Sequence, residues 1–394
     1  MDIFLKIVIV YLILNTLIWL LRHLNISRAK RNSESLDSRY PIGKFSPMPK
    51  VSVLVAGKNE ERNIERCLRS LLGQNYPELQ VIAINDRSTD RTGEIMDKLA
   101  GQSGGRLKVV HVRQLPDGWK GKPHAMHEGQ KLATGDYLVF TDADCFFQCP
   151  DCIRIAVEFT MEKKVDLLSV LPVLETSSFW ERVLQPVCSA VLIIWFQPER
   201  VNNPMSKVAY ANGAFMLFSR SCYDRIGGHP AVKEHLMEDM AFARRVKGSG
   251  MKLYVVQNRD LYRARMYEDF SSTFTGWSRI FYGGFMHVSK VARAVLLLVI
   301  MSLLPCLILA GALMVATIKA WDVRELGWWV LAWSGFAMAA QMSVSVRFYQ
   351  LMGSKWYWAI TYPLGAMVTF MILMSSLKKF MGGTIVWRGS EIKL

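Results

Sequence analysis

The chain has 394 residues, of which 51% are hydrophobic and 21% charged, a balance that excludes disorder as the main state and is more apolar than a soluble enzyme needs. The net charge of +15 divides into +5 over residues 1–50, +4 over 51–290 and +6 over 291–394. No nucleic-acid partner is expected, because the basic surplus flanks the most apolar segments, where Lys and Arg set orientation and meet anionic headgroups.

At the N-terminus 15 uncharged residues separate Lys6 from Arg22. Met1–Phe4 and a snorkelling Lys6 lengthen them into a membrane anchor over residues 1–24. No small-x-small cleavage site follows Leu21. The chain continues into Arg22, His23, Arg28, Lys30 and Arg31, opening a basic juxtamembrane linker over 25–50. By the positive-inside rule these charges place residues 22–290 in the cytoplasm.

Val51–Ala56, Gln80–Asn85, Leu107–Val112 and Asp136–Thr141 are short apolar and β-branched runs bounded by polar turns, and predict strands. Ile64, Cys67, Leu68, Leu71 and Leu72 recur at helical spacing between the first two. Thr89–Ala100 and Lys122–Ala133 predict two more helices. The order βαβαβαβ implies an α/β domain over 51–290 with a mostly parallel sheet covered on both faces.

In such sheets ligands collect at the carboxyl ends of the strands. The residues there are polar and acidic: Lys58, Asn59, Glu60 and Glu61 after the first strand, Asp86-Arg-Ser-Thr-Asp90 after the second, and Asp142-Ala-Asp144 after the fourth. Neither a G-x-G-x-x-G nor a P-loop is present. Asp142 and Asp144 lie on the same side of a segment read as extended, and paired oxygen donors suit Mg²⁺ or Mn²⁺ bridging a diphosphate. Gly118-Trp-Lys120-Gly-Lys122 opens a helix, where two lysines and the helix N-terminus meet phosphate oxygens. Downstream, Met237-Glu238-Asp239-Met240 opens another, with Asp239 as candidate general base.

The seven cysteines are odd in number and scattered, as in a reduced cytoplasmic domain. Cys149-Pro-Asp-Cys152 lacks the second pair a zinc site needs. Phe179–Phe196 is unusually apolar and is either a buried core helix or an interfacial helix dipping into headgroups.

Uncharged stretches of 25, 21 and 22 residues lie between Arg293 and Lys319, Glu325 and Arg347, and Lys355 and Lys378. Each is long enough to span, giving a membrane bundle over 291–377 and a basic tail over 378–394. Three further crossings put the tail outside, whereas Lys378, Lys379, Arg388 and Lys393 favour the inside. One segment is therefore expected to be re-entrant or interfacial, and the sequence leaves open which.

Together these motifs resemble glycosyltransferase family 2 on a GT-A fold. Val51-Ser-Val-Leu-Val-Ala56-Gly-Lys58-Asn-Glu60-Glu is similar to that family's first strand and uracil-side loop. Asp86 matches the D-x-S-x-D position that holds uridine, Asp142 and Asp144 the metal motif, and Glu238-Asp239 the E-D supplying the base. Within the family the chain resembles membrane-embedded, non-processive lipid glycosyltransferases, such as ceramide glucosyltransferases and hopanoid- or carotenoid-associated relatives. The Asn212-Gly213-Ala stretch resembles the floor of the sugar pocket, and Trp387-Arg388 a tail element near the site. Where relatives have Q/R-x-x-R-W, this chain reads Thr273-Phe-Thr-Gly276-Trp277, with Arg279 two residues beyond. Trp277 is then read as an acceptor contact or an interfacial anchor, and Arg279 or Arg388 as the missing positive charge near the leaving diphosphate.

The resemblance implies an inverting transfer from a nucleotide-sugar, most simply a UDP-sugar, to a membrane-lipid hydroxyl at the cytoplasmic face. Ala56, Lys58, Glu60, Asp86, Lys120, Lys122 and Asp142 would bind the donor, and Mg²⁺ or Mn²⁺ would sit on Asp142 and Asp144. The alternatives are transfer to a polyprenyl phosphate, whose acceptor is already ionised, and a non-catalytic membrane scaffold that binds nucleotide.

Overall fold

The computed structural model describes residues 2–32, 34–317, 325–382, 384–387 and 390–393. The membrane-anchor pattern forms a helix, α1 (Asp2–Asn32), that continues past residue 24 through the basic run. The linker is not wholly loop, because β1 (Ser35–Leu36) pairs beside the far strand of the main sheet.

The predicted βα alternation forms with small shifts: β2 (Val51–Gly57), α2 (Ile64–Leu72), β3 (Leu79–Asp86), α3 (Thr92–Gln102), β4 (Leu107–Val112), α4 (Gly121–Gln130) and β5 (Tyr137–Asp142). On α2 the spaced residues Ile64, Cys67, Leu68 and Leu71 are buried, so its apolar stripe faces the sheet. Helix α3 starts three residues later than predicted, because the Asp90 carboxylate accepts from the Thr92 amide and hydroxyl at 3.0 and 2.6 Å and turns the chain before the helix.

The second half is less regular. It comprises β6 (Cys145–Phe147), α5 (Cys152–Lys163), β7 (Leu167–Leu171), β8 (Val173–Leu174), α6 (Phe179–Trp195), α7 (Pro198–Asn202), β9 (Phe215–Ser219), α8 (Arg220–Arg225), α9 (Glu238–Gly248), β10 (Leu253–Asn258) and β11 (Tyr262–Ala264). The main sheet has the order β1-β10-β7-β9-β5-β2-β3-β4. It is parallel except for β9, which runs antiparallel to both β5 and β7. A small sheet, β6-β11-β8, covers the end where the loops gather. Apolar clusters fill both faces of the main sheet, centred on Val53, Val55 and Val139 on one side and Leu54, Phe140 and Phe218 on the other. That double burial explains why β2 and β5 read as nearly unbroken apolar runs.

The C-terminal helices are α10 (Phe270–Phe285), α11 (Val288–Leu298), a π-turn at Val299–Leu303, α12 (Leu304–Thr317), α13 (Glu325–Leu351) and α14 (Tyr362–Lys379), followed by the hairpin β12 (Thr384–Trp387) and β13 (Ser390–Lys393). Side chains of α1 donate to carbonyls of this π-turn. Trp19 Nε1 donates to the Met301 carbonyl at 3.0 Å, and Tyr11 and Asn15 donate to Ile300.

Among the described residues, five helices are long and apolar enough to cross a membrane: Asp2–Ile26, Phe179–Asn202, Val288–Thr317, Leu326–Leu351 and Trp356–Lys379. Two of them are tied back to the α/β part. Helix α6 leaves after β8 and comes back to β9, which pairs with β7 in the same sheet, so a single crossing there is impossible. The buried-core reading holds in a helical cluster rather than against the sheet: α6 packs with α10 and α14 through Val183, Val187, Trp277, Phe281 and Ile372. Gly365 of α14 sits so close that a Cβ there would lie 2.8 Å from the Val183 carbonyl oxygen.

Helix α14 follows suit. Before its start, Gly353 faces Val173 of β8 and Tyr349 donates to the Val183 carbonyl at 3.1 Å. At its end, Lys379 Nζ donates to Ser278 Oγ of α10 at 2.7 Å. These contacts bring the start of α14 to β8 and α6, and its end to α10, the helix that follows β11.

Candidate active site

The carboxyl ends of β2, β3 and β5 lie side by side, because Ala56 registers with Asp142 and Gly57 with Asn85. Strand order reverses around β2, and such a switch point opens a crevice beyond the strand ends. A cavity of about 550 Å³ occupies it, within the usual range for a small-molecule site. Of the residues singled out from sequence, Ala56, Lys58, Glu60, Asp86, Lys122, Asp142, Asp144, Glu238, Asp239, Trp277 and Arg279 line this cavity.

The loops after β2 and β3 are tied to each other. Asn59 accepts from the Thr89 amide at 2.9 Å, and the Glu60 and Glu61 amides donate to Thr92 Oγ1 at 2.7 Å and Asp90 at 3.1 Å. Half of the D-R-S-T-D turn therefore holds the rim rather than a ligand. Asp86 is 5% exposed, and its carboxylate takes two hydrogen bonds from Arg87, at 2.7 and 2.9 Å. Gly121 crowds this pair, since a Cβ there would lie 3.0 Å from Asp86 Oδ2.

Asp142 ends β5, but Ala143 and Asp144 form a turn before β6, which corrects the reading of the D-x-D as extended. The turn arises because β6 leaves the main sheet to pair with β11. Both carboxylates still line the cavity.

Lys122 sits between two acids, 2.6 Å from Asp142 Oδ1 and 2.7 Å from Glu238 Oε1. Burial works against its charge, but the two carboxylates outweigh it and hold the ammonium above the ordinary lysine value. Glu238, the first acid of the E-D motif, thus spends one oxygen on Lys122.

Asp239 is 9% exposed and takes amide hydrogen bonds from Gly213 at 3.1 Å and Met240 at 2.7 Å. Burial and the adjacent Glu238 push its carboxyl up to about 7, with Lys122 and the two amides pulling the other way. Gly213 reaches this point because antiparallel β9 begins opposite the end of β5, with Phe215 beside Thr141. A Cβ on Gly213 would lie 3.0 Å from Lys122 Nζ and 3.5 Å from Asp239 Oδ2. Gly213→Ala is expected to leave the melting temperature within a few degrees yet lower turnover roughly tenfold by displacing the ammonium, a barrier change of ~1.4 kcal/mol; paired melting curves and initial rates check this.

Lys120 does not join the cavity: its amide donates to the Lys233 carbonyl at 2.8 Å, and it stands as the residue before α4. Only Lys122, one helical step further in, faces the acids. Trp277 is 3% exposed and donates from Nε1 to Gln185 at 3.2 Å, so it is a buried link between α10 and α6 rather than an interfacial anchor. Trp387 closes strand β12, and Arg388 lies outside the described residues.

The structure also accounts for the altered Q/R-x-x-R-W segment. Thr273 is buried and donates to the Asp269 carbonyl at 2.6 Å, closing the first turn of α10. Gly276 lies against Tyr267, whose ring would be 2.2 Å from a Cβ there, leaving no room for an arginine. Tyr267, Tyr210 and Met237 line the cavity too, and no local sequence signal marks them.

The donor set suits a hard cation. Asp142 and Asp144 offer oxygen alone, and the Lys122 ammonium against Asp142 marks where positive charge is held. Among the described residues no three His, Cys, Asp or Glu side chains gather around one metal position. The chain would thus contribute two carboxylates, with phosphate and water completing an Mg²⁺ or Mn²⁺ shell.

Residues 52–227 match the family model described as glycosyl transferase family 2. Among curated proteins, the 4,4'-diaponeurosporenoate glycosyltransferase of Staphylococcus aureus strain USA300 is 26% identical over 231 residues, 58% of this chain and 60% of that protein. The chain thus spans 60% of the length of the curated relatives it matches. Among solved structures, the mannosyltransferase PcManGT from Pyrobaculum calidifontis, in complex with GDP-Man and Mn²⁺, aligns with a TM-score of 0.54 at 19% identity. That alignment covers 85% of this chain and 97% of that chain, and places the α/β core in the GT-A fold.

Proposed function

We propose that this chain, which carries a glycosyl transferase family 2 domain over residues 52–227, moves a sugar from a nucleotide-sugar donor, most simply a UDP-sugar, to the hydroxyl of a membrane lipid. The observation that carries this reading is Asp239, a carboxyl aimed into the cavity with its pKa raised to about 7. A hydroxyl acceptor needs such a base, whereas a phosphate acceptor does not.

Asp86, Lys58 and Glu60 line the cavity and would hold the donor's nucleoside, while Lys122 would meet its diphosphate. Asp142 and Asp144 would hold the divalent ion, whose charge stabilises the leaving diphosphate. The acceptor oxygen attacks the anomeric carbon from the Asp239 side. As that C–O bond forms, the bond to the diphosphate breaks, and the acceptor proton passes to Asp239. One displacement inverts the anomeric centre.

The helix contacts support one membrane topology. We read α1, α11–α12 and α13 as crossings, with α6 and α14 lying along the membrane surface, so that residues 34–285 and the tail share the cytoplasmic face. On this reading the basic tail lies on the side that its charges favour. Two lines of support are the ties of both helices to the α/β part and the basic run after residue 21.

The test is the detergent-purified full chain with radiolabelled UDP- and GDP-sugars and a total lipid extract. Label is expected in an organic-soluble product from a hydroxyl lipid; label found solely on polyprenyl phosphate, or none, overturns the proposal. Because the base must be deprotonated, the rate is expected to rise as pH passes through about 7 and level off above it. An ordinary aspartate would place that limb near pH 4, so a flat profile from pH 5 to 8 would remove Asp239 from this role.

A further inference from the structure

The cavity has two kinds of wall. The strand ends supply its charged side, while α6 and α10 supply an apolar side that includes Leu192, Ile193, Phe196 and Ile280. Three glycines on α10 differ in what they face. A Cβ on Gly276 would meet Tyr267 at 2.2 Å, and one on Gly283 would meet Met237 at 2.4 Å, so packing forbids side chains at both. Gly284 is buried, yet a Cβ there would meet nothing within 4 Å. Glycine is a poor helix former, and no neighbour requires it here. What its missing side chain leaves is room inside the cavity that Gly284 lines.

We propose that the α6–α10 side of the cavity holds the hydrocarbon chain of the acceptor and that Gly284 is a specificity-determining residue, its missing side chain setting the chain length admitted. This rests on the reading of the acceptor as a lipid. An apolar pocket wall beside a carboxylate and an ammonium matches an amphipath whose hydroxyl reaches Asp239 while its chain lies between the helices. Helix α6 returns to the α/β part at both ends and α10 leads from β11 toward α11, so the chain enters from the membrane surface without leaving an apolar environment. A Cβ at position 284 enters open space, so larger side chains there are expected to shorten the pocket while the fold stays intact.

The test uses the purified full chain and two photoreactive alcohols, hexadecanol and octanol carrying a terminal diazirine, with crosslinks mapped by mass spectrometry. In the wild type the hexadecanol probe is expected to label α6 and α10 residues of the cavity. Gly284→Leu should reduce that labelling roughly tenfold, the equivalent of ~1.4 kcal/mol in binding, while octanol labelling persists. Gly284→Ala should fall between, and serves if the leucine variant melts early. Hexadecanol labelling that is equal in all three proteins, or that falls outside the cavity, overturns the proposal. Sugar transfer by the same wild-type preparation separates the two readings. Transfer with labelling unaffected by position 284 refutes the gate alone, whereas gated labelling with no transfer to any lipid refutes the glycosyl-transfer reading alone.

Discussion

Asp239→Asn is expected to bind donor normally and to turn over about 10²–10⁴-fold more slowly, the usual worth of general-base assistance. The amide is isosteric, and its oxygen can still accept from either the Gly213 or the Met240 amide. One of the two hydrogen bonds is lost, at about 1 kcal/mol. Against that loss stands relief of a buried charge beside Glu238. With the folded carboxyl raised to about 7 and the unfolded one near the ordinary 3.8, the native state holds this proton more tightly. The stability the group contributes is therefore full below about pH 4 and disappears as pH rises through 7. The variant lacks that dependence, so its melting temperature should match or exceed the wild type's at pH 8 and fall below it toward pH 4. Normal turnover would sink the assignment of the base, and a variant less stable at pH 8 than at pH 4, relative to wild type, would sink the account of its pKa.

Lys122→Met should have the other large effect. The methionine fills a similar volume but removes both ion pairs, leaving Asp142, Glu238 and Asp239 facing one another. Breaking a buried pair from one side costs about 3–5 kcal/mol. Loss of a charge that stabilises the transition state also costs about 10²–10³ in rate. A second signature distinguishes the lysine from a mere structural strut. Lys122 holds the Asp239 pKa down, so without it the acid limb of the pH–rate profile should move to higher pH. Added Mn²⁺ should raise the melting temperature of this variant more than that of the wild type, since the carboxylates have lost their resident cation. An unmoved acid limb would show that Lys122 does not act on the base.

Much of this site was legible along the chain. Asp86 and Asp142 end strands that are apolar on both faces and Asp144 lies just beyond, and a strand end fixes where these residues lie. Glu238 and Asp239 open a helix, and the periodicity of α2 named its buried face in advance. Other features had no local trace. Strands β6, β8 and β11 are two or three residues long, too short for any periodicity to mark. Lys120 and Lys122 look equivalent in sequence, and only the start of α4 separates the one that enters the cavity from the one that does not.

By itself, then, the sequence determined the apolar segments, the α/β alternation and the acidic strand ends, because each depends on residues within a turn or two of one another. Tertiary structure alone decided that Lys122 lies between Asp142 and Glu238, that Gly213 supports Asp239 across 26 residues, and that α6 comes back to the sheet with α14 packed on it. Those pairings depend on burying surfaces far apart in the chain, and the energy of such burial is a property of the assembled core, which no window of neighbouring residues contains.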